Sequence, residues 1–577
     1  DSLSGESIIG AYVIYNDQYL CSSNALGYIS FTIVKREASI TIWNIGYQPY
    51  RLKLTPGTYD RLVLKMKPHL DFEVEIVDVE EHHELFKERI SSSTLDNFQS
   101  VSGNSDLVET LKASPGVSPG GEGQNGYTVR GGGPHQNLIL MDGMNVYEAS
   151  HLGGLSSIFL PGAIKYINFH KDAFPARYGG RVSSVLDVRL KDGNRQEFER
   201  QLSMGLEGIM GRFDGPVSKR LSVNMNVRTT WFDDLAGPLV QRNTSIESLD
   251  MGYSDAFAKL TWWLSPGSRI SGSAYWGEDI IKLVRNSSPV NFTGFQDLNR
   301  ISWGNRMASL KWETVIGDQF FVKLQSGISS YDYNSRGSYE FEFEENGMPS
   351  QRAFDILSVS SISDHKISGE LDYYSNKYGQ FKIGAQYIDN LNRPSIEESN
   401  NFASEPETVP LSDTSYHSRE MAFYFENSLS LGTDLNFISG LRWSNYYTGS
   451  NHFSYLEPRL RLQFDFVNSS VGISYSRISQ FIHLLSNPGP GLPSDLWVPS
   501  TSRLAPELSD NFSMEYSAHF KSFSWGASLW YKSFDNLVEY ENPSDIIYSI
   551  IIDNELYQVE VNNDNWEERI SSGGGYA

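Results

Sequence analysis

A chain of 577 residues is too long for a single hydrophobic core, so several domains are expected, yet nothing in it approaches eighteen consecutive apolar residues and no transmembrane helix is available. The net charge of −23 argues against a nucleic-acid partner, which needs clustered lysine and arginine; it reads first as a solvated surface of loops and lumen, and second as an attraction for cationic or metal-bearing ligands. Aromatic residues nonetheless reach 13% and glycines number 49, a profile suited to a membrane barrel, where alternate strand residues meet lipid and aromatics band both interfaces.

Residues 1–69 read as a small β-sandwich. Short β-rich runs at Ala11–Tyr15, Tyr28–Ile33, Ser39–Trp43, Tyr50–Leu54 and Arg61–Met66 are separated by turns at Asn24–Gly27, Gly46 and Pro56-Gly57. Gly27–Phe31 followed by Ile45–Gln48 resembles the carboxypeptidase-regulatory-like domain, a module without a catalytic set here. Its usual first strand is not seen, and Asp1 opens no signal peptide, so the sequence is expected to start late. Cys21 is the one cysteine, which rules out an intrachain disulfide and suggests a buried, idle thiol.

Residues 70–94 read as a charged linker. Glu80-Glu81-His82-His83-Glu84 lacks the His-Glu-x-x-His spacing of a zinc helix, and no metal or cofactor is expected. Within the linker, Phe72-Glu73-Val74-Glu75-Ile76-Val77-Asp78-Val79 alternates and is suited to strand addition, in which backbone hydrogen bonds do the recognising.

From Leu95 to about Asn194 the composition turns to Gly, Ser and Asn with short apolar runs. The ordered segments are Leu111–Val117, Tyr127–Gly132, Asn137–Tyr147, Gly162–Ile167, Phe174–Arg181 and Ser184–Lys191. This series resembles the plug of TonB-dependent receptors over its whole length. The resemblance implies an outer-membrane location in a Gram-negative-type cell, with plug and N-terminal domain reached from the periplasm. It also implies that a periplasmic TonB protein reads the segment at 72–79, which is more acidic here than usual. Arg130 and Arg181 match positions that face inward carboxylates of the barrel, for which Glu207, Glu370 and Glu515 have the right parity. Asn145, Tyr147, Glu148 and His151 follow the Asp142-Gly143 turn at the plug apex and are the candidate substrate contacts.

Residues 195–577 carry period-two alternation with one polar face, the mark of a sheet between lipid and water. A first strand is expected over Phe198–Arg212 with a turn at Asp214-Gly215-Pro216, then a second over Leu221–Thr229. Six hairpins follow: Ala256–Leu264 with Arg269–Trp276, Ala308–Thr314 with Phe320–Ile328, Ile367–Tyr373 with Phe381–Tyr387, Met421–Leu431 with Leu435–Trp443, Pro458–Phe466 with Val471–Tyr475, and Phe512–Phe520 with Trp525–Tyr531. That makes about fourteen strands. Tight turns alternate with long polar connections at Ser287–Arg300, Asn334–Val359, Leu391–Ser418 and Ser486–Ser509.

The expected fold is therefore mainly β: a transmembrane antiparallel barrel around an α+β plug, preceded by the sandwich. A barrel wide enough for such a plug needs about 22 strands. About eight are expected beyond Ala577, since Ser571–Ala577 resembles a run that opens a strand about two-thirds through such barrels. The function implied is TonB-energised import of a scarce or bulky nutrient, with iron chelates, cobalamin, oligosaccharides and peptides all open as ligands. The alternative is a receptor-like barrel serving as an accessory subunit of a larger outer-membrane complex. Partners expected are TonB, outer-membrane lipids, and a surface lipoprotein or other outer-membrane subunits. No Gly-x-Ser-x-Gly, phosphate loop or zinc spacing supports an enzyme.

Overall fold

The computed structural model describes the chain apart from residues 16–17, 30, 32–37, 45–46, 55–84, 92–94, 96–104, 121–125, 206, 232–245, 288–293, 318, 346–347, 376–377, 402–414, 432–433, 467, 486–495, 521–522, 541–566 and 568–569. Tyr12–Tyr15 (β1), Gln18–Ser22 (β2), Ala38–Trp43 (β3) and Tyr50–Leu54 (β4) form one antiparallel sheet in the order β2-β1-β3-β4. Alternation drives it: Ala38, Ile40 and Ile42 are buried and Ser39 is exposed. β2 was not among the expected strands, and the expected run Arg61–Met66 lies outside the described residues. Cys21 is half-buried, and burial pushes its thiol up to about 12.

The plug contains Lys87–Ser91 (β5), a short helix Leu107–Lys112 (α1), Val117–Pro119 (β6), Tyr127–Val129 (β7), Asn137–Met141 (β8), Met144–Asn145 (β9), Ser150–His151 (β10), Ser156–Ser157 (β11), Ile164–His170 (β12) and Ser184–Leu190 (β13). Its main sheet runs β5-β12-β13-β8-β9, with β13 and β8 parallel. β5 lies in the stretch read from sequence as linker, yet it pairs with β12 from Lys87 to Ser91. Leu107, Leu111, Val129, Ile164, Ile167, Phe169, Leu186 and Val188 form the buried core. Each such side chain contributes roughly 1.5–3 kcal/mol relative to exposure. Asp106 caps α1 by accepting from the Glu109 amide at 3.0 Å. Its other oxygen accepts from the Ser157 amide at 2.6 Å, which ties the helix to β11.

Sixteen strands then make one antiparallel sheet in sequence order. They are Glu199–Met204 (β14), Gly208–Ser218 (β15), Leu221–Thr230 (β16), Ile246–Ser265 (β17), Ser268–Ser287 (β18), Gly294–Ile316 (β19), Phe320–Glu345 (β20), Met348–Ser375 (β21), Gly379–Asn401 (β22), Tyr416–Leu431 (β23), Leu435–Thr448 (β24), Asn451–Asp465 (β25), Ser469–Gln480 (β26), and, after the separate pair Ile482–Leu485 (β27) and Leu496–Pro499 (β28), Glu507–Phe520 (β29), Phe523–Tyr540 (β30) and Ile570–Tyr576 (β31). Among the described residues no ladder joins β14 to β31.

The six expected hairpins have the expected partners, as in Ala258↔Ala274, Tyr373↔Phe381 and Phe512↔Tyr531. Several readings are corrected. The expected connections Ser287–Arg300 and Leu391–Ser418 run partly as strand, in Gly294–Arg300 and Leu391–Asn401. Phe198–Arg212 is not one strand: the chain reverses between β14 and β15, and Asp214-Gly215-Pro216 continues β15 in register with β16. Shared parity concealed the reversal, because both arms keep their apolar residues on one face. This split, with β31, makes sixteen strands rather than fourteen. Asn334–Val359 is likewise no loop, since β20 and β21 pair without a break from Phe320↔Tyr373 to Glu345↔Met348. Its serines and acidic residues read as loop, although a strand extending past the hydrocarbon needs no apolar face. Those two strands have 26 and 28 residues, against roughly 9–11 for a tilted membrane crossing.

The sheet is apolar outside and polar inside. On β17–β19, Leu260, Trp262, Trp276, Leu310 and Trp312 are exposed, while Asp255, Lys259, Arg269, Asn305, Lys311 and Glu313 are buried. A soluble sandwich would reverse this. Near the tight turns a row of rings crosses four strands: Phe320 to Tyr373 at 5.0 Å, Tyr373 to Phe381 at 6.1 Å, and Phe381 to Phe425 at 6.1 Å. Such a row suits a membrane–water interface.

Candidate functional site

The plug touches successive strands along the sheet, so the sheet must curl around it. Its contacts run from Arg228 on β16 through Asp255, Arg269, Asn305, Gln325 and Asp364 to Glu426, Arg442, Arg459, Gln480, Glu515 and Lys532 on β30. Most of these contacts carry a charged group on at least one partner. Such bonds are stronger than neutral ones, and their geometry fixes the docking.

Arg130 stands at a turn between Val129 and Gly132, with a positive φ of 47° followed by 81° at Gly131. The turn sends its guanidinium to Asp172 of the plug and to Glu515 of β29, the latter at 2.7 Å. Glu515 also accepts from the Phe86 amide at 2.6 Å, just ahead of β5. One barrel carboxylate thus grips both the plug turn and the segment leading into the plug.

A second cluster gathers at the Asp142-Gly143 turn. Both residues have positive φ, 51° and 91°, and the flanking pairs are Met141↔Met144 and Leu140↔Asn145, a two-residue hairpin loop. The Asp142 carboxylate meets Lys259 at 2.9 Å and Lys311 at 3.4 Å. Burial opposes its charge, but the lysines hold its pKa well below the usual carboxylate range. Asp192 joins Lys165 at 2.9 Å, Lys259 at 3.0 Å and Arg269 at 2.7 Å.

The candidate substrate residues divide. Asn145 and Tyr147 both donate to Asp364 of β21, at 2.6 and 2.5 Å, and line a cavity between plug and barrel. Glu148 turns back to accept from the Ser150 amide at 2.9 Å. His151 is a docking residue: it is buried, with Nδ1 2.8 Å from Asp279 and Nε2 3.1 Å from Asp255, and it stacks on Tyr253 at 4.1 Å. Burial alone would lower its pKa, but the two carboxylates raise it to about 9. A loop histidine offers no sequence sign of this, because its partners lie more than a hundred residues away.

The expected lock divides too. Arg130 and Glu515 meet, whereas Glu370 accepts from Tyr424 at 2.9 Å and Glu207 lies beside Arg228 around a small cleft. Arg181 has no carboxylate at ion-pair distance among the described residues; it donates to the Gly180 carbonyl at 2.8 Å and lies 5.2 Å from the Trp497 ring. The Phe174–Arg181 segment is gripped from the barrel side instead. Arg459 donates to the carbonyls of Pro175 and Tyr178, both at 2.7 Å, and Glu426 accepts from the Ala176 amide at 2.9 Å. Arg459 was not among the sequence candidates, because nothing local to its strand shows that its partners are plug carbonyls. The segment Phe72–Val79 lies outside the described residues.

The cavity encloses about 600 Å³ of non-atom space, part of it open to solvent. Tyr147, Arg177, Tyr178, Arg181, Asp364, Lys366, Asn390, Glu420, Tyr446 and Phe481 are among its lining residues. Beside it β27 and β28 pair inside the lumen, from Ile482↔Pro499 to Leu485↔Leu496. Trp497 lies edge-on to Tyr147 at 5.2 Å. The expected connection Ser486–Ser509 therefore folds inward in part.

A charged plug filling the polar lumen of a sheet with an apolar exterior defines an outer-membrane plugged barrel. The chain matches the TonB-dependent receptor plug domain over residues 87–184 and the TonB-dependent receptor-like β-barrel over residues 230–554. The chain belongs to the TonB-dependent receptor family, whose members sit in the Gram-negative outer membrane, work with TonB and bind substrates. No curated protein matches it in sequence. Among solved structures it is similar to the outer membrane transporter YddB from Escherichia coli, with a TM-score of 0.56 and 12% identity over 79% of this chain and 70% of that one. It is also similar to the siderophore receptor PirA from Acinetobacter baumannii, with a TM-score of 0.55 and 14% identity over 79% and 71%. PirA from Pseudomonas aeruginosa gives 0.53 and 16% over 79% and 76%.

Proposed function

We propose that this receptor imports a scarce or bulky nutrient from the side of the long connections, with plug and N-terminal sheet facing the periplasm. The ligand settles in the cavity over Asn145 and Tyr147, and a TonB protein pulling on Phe72–Val79 loosens the plug. The observation that carries this reading is the Arg130–Glu515–Phe86 junction. There the segment following the candidate TonB-read stretch and a plug turn share one barrel carboxylate, so a pull on the first disturbs the second. The N-terminal unit, proposed as a carboxypeptidase-regulatory-like sandwich, precedes that segment. The similarity to siderophore receptors makes a ferric chelate one ligand candidate.

The test is deletion of residues 72–79. The shortened receptor is expected to reach the outer membrane folded but to lose the growth advantage that the intact receptor confers on nutrient-poor medium. Undiminished growth would reject energised import and favour the accessory-subunit role.

A further inference from the structure

Among the described residues, most arginines inside the barrel are paired with a carboxylate, whereas Arg181 and its cavity neighbour Arg177 are not. Arg130, Arg228, Arg269, Arg442 and Arg459 each meet a carboxylate at 3.1 Å or less. Arg181 has none among the described residues; its guanidinium lies over the Trp497 ring and lines the cavity. Burial lowers its pKa despite the more distant Tyr147, Asp364, Glu420 and Glu507. The same cavity contains two further cations with no carboxylate at ion-pair distance among the described residues: Arg177, which donates to the Tyr178 hydroxyl at 3.2 Å, and Lys366, which donates to the Gly143 carbonyl at 2.9 Å.

The cavity's own carboxylates are engaged. Glu420 is held by Arg442 at 3.1 Å. Asp364 accepts from Asn145, Tyr147 and Asn390. Tyr147, Tyr446 and Phe481 supply ring surface on the walls, and Phe481 stacks on Tyr446 at 4.7 Å. Three cations around a cavity whose own carboxylates are already engaged leave positive charge without a counter-ion, and an uncompensated charge removed from water is costly. Here the counter-ion's place is open to the cavity.

We propose that Arg181 is an anion subsite and that the cavity takes the carboxylate of a ring-bearing small molecule or end group. This deepens the import reading and rests on it for its biological purpose. The carboxylate meets the guanidinium in a charge-assisted pair, and the ring lies among Tyr147, Tyr446 and Phe481.

The experiment is equilibrium dialysis of the purified full chain in detergent against phenylacetate and its neutral analogue phenylacetamide. Phenylacetate is expected to bind at least tenfold more tightly. Arg181→Gln is expected to abolish that preference, and Arg181→Lys to keep it within a few fold. Arg306→Gln, which removes an exposed charge outside the cavity, is expected to leave it unchanged. Equal binding of acid and amide by the parent overturns the proposal, as does no binding of either. Preserved preference in Arg181→Gln also overturns it. The comparison of acid with amide needs no variant, so a folding defect in Arg181→Gln does not shelter the proposal. Binding is read without TonB, so failure here leaves energised import standing, and failed import leaves this subsite standing.

Discussion

Replacing Arg130 with glutamine removes the cation that joins Asp172 to Glu515. Breaking a buried pair by removing one partner costs about 3–5 kcal/mol. Here each carboxylate keeps a second donor: Asp172 retains Lys532 at 3.3 Å, and Glu515 retains the Phe86 amide at 2.6 Å. The lower end of that range, about 3 kcal/mol, therefore applies, and it corresponds to roughly a hundredfold more opening of the β6–β7 hairpin. Native-state hydrogen exchange reads this as faster exchange at Tyr127 and Val129 with β15–β19 unchanged. Arg181→Gln is the matched control, because it removes the same charge without breaking an ion pair. Exchange within twofold of the parent in Arg130→Gln, or an equal change in both variants, would refute the reasoning.

Other outcomes follow from the same geometry. His151 is raised from 6.5 to about 9, so its contribution to docking is fully present below pH 6.5 and is lost as pH rises through about 9. The difference amounts to roughly 3 kcal/mol; His151→Asn should flatten the loss of plug protection between pH 7 and 10, and an unchanged slope contradicts the assignment. Gly143→Ala places a Cβ 2.6 Å from Gln325 Oε1 at a φ of +91°, so proteolysis of the plug should rise while the barrel stays intact on gels. Leu310→Arg puts a charge on the lipid face, where it costs roughly 2–4 kcal/mol near the midplane, and should slow folding into vesicles more than Ser309→Ala on the inner face. Equal folding of those two variants would contradict the inside-polar assignment.

Much of the barrel was legible because its signal is local. Period two places Leu260 and Trp262 outside and Lys259 and Thr261 inside, and no distant residue is needed to read it. The β14–β15 reversal escaped because its two arms share parity, so only the turn could reveal it. The long β20–β21 extension escaped because a strand beyond the lipid loses its apolar face. At the site, Arg130 was readable as part of a motif with a defined turn. His151 and Arg181 were not, because their roles depend on which residue the opposite wall presents: Asp255 and Asp279 to the first, an open cavity to the second. Asp142 was visible as a turn residue, but only the register of β17 and β19 brings Lys259 and Lys311 to it.

The central claim is that TonB loosens a plug held by these charges. Ser157 is buried at the plug–barrel boundary, with its carbonyl bound by Arg228 at 2.7 Å. A cysteine placed there, in a chain whose Cys21 is replaced by serine, reports on that boundary in living cells. In energised cells on complex medium, a membrane-impermeant thiol reagent is expected to label it when TonB is present and to leave it protected when TonB is absent. Equal labelling in the two strains, or protection in both, would contradict the account.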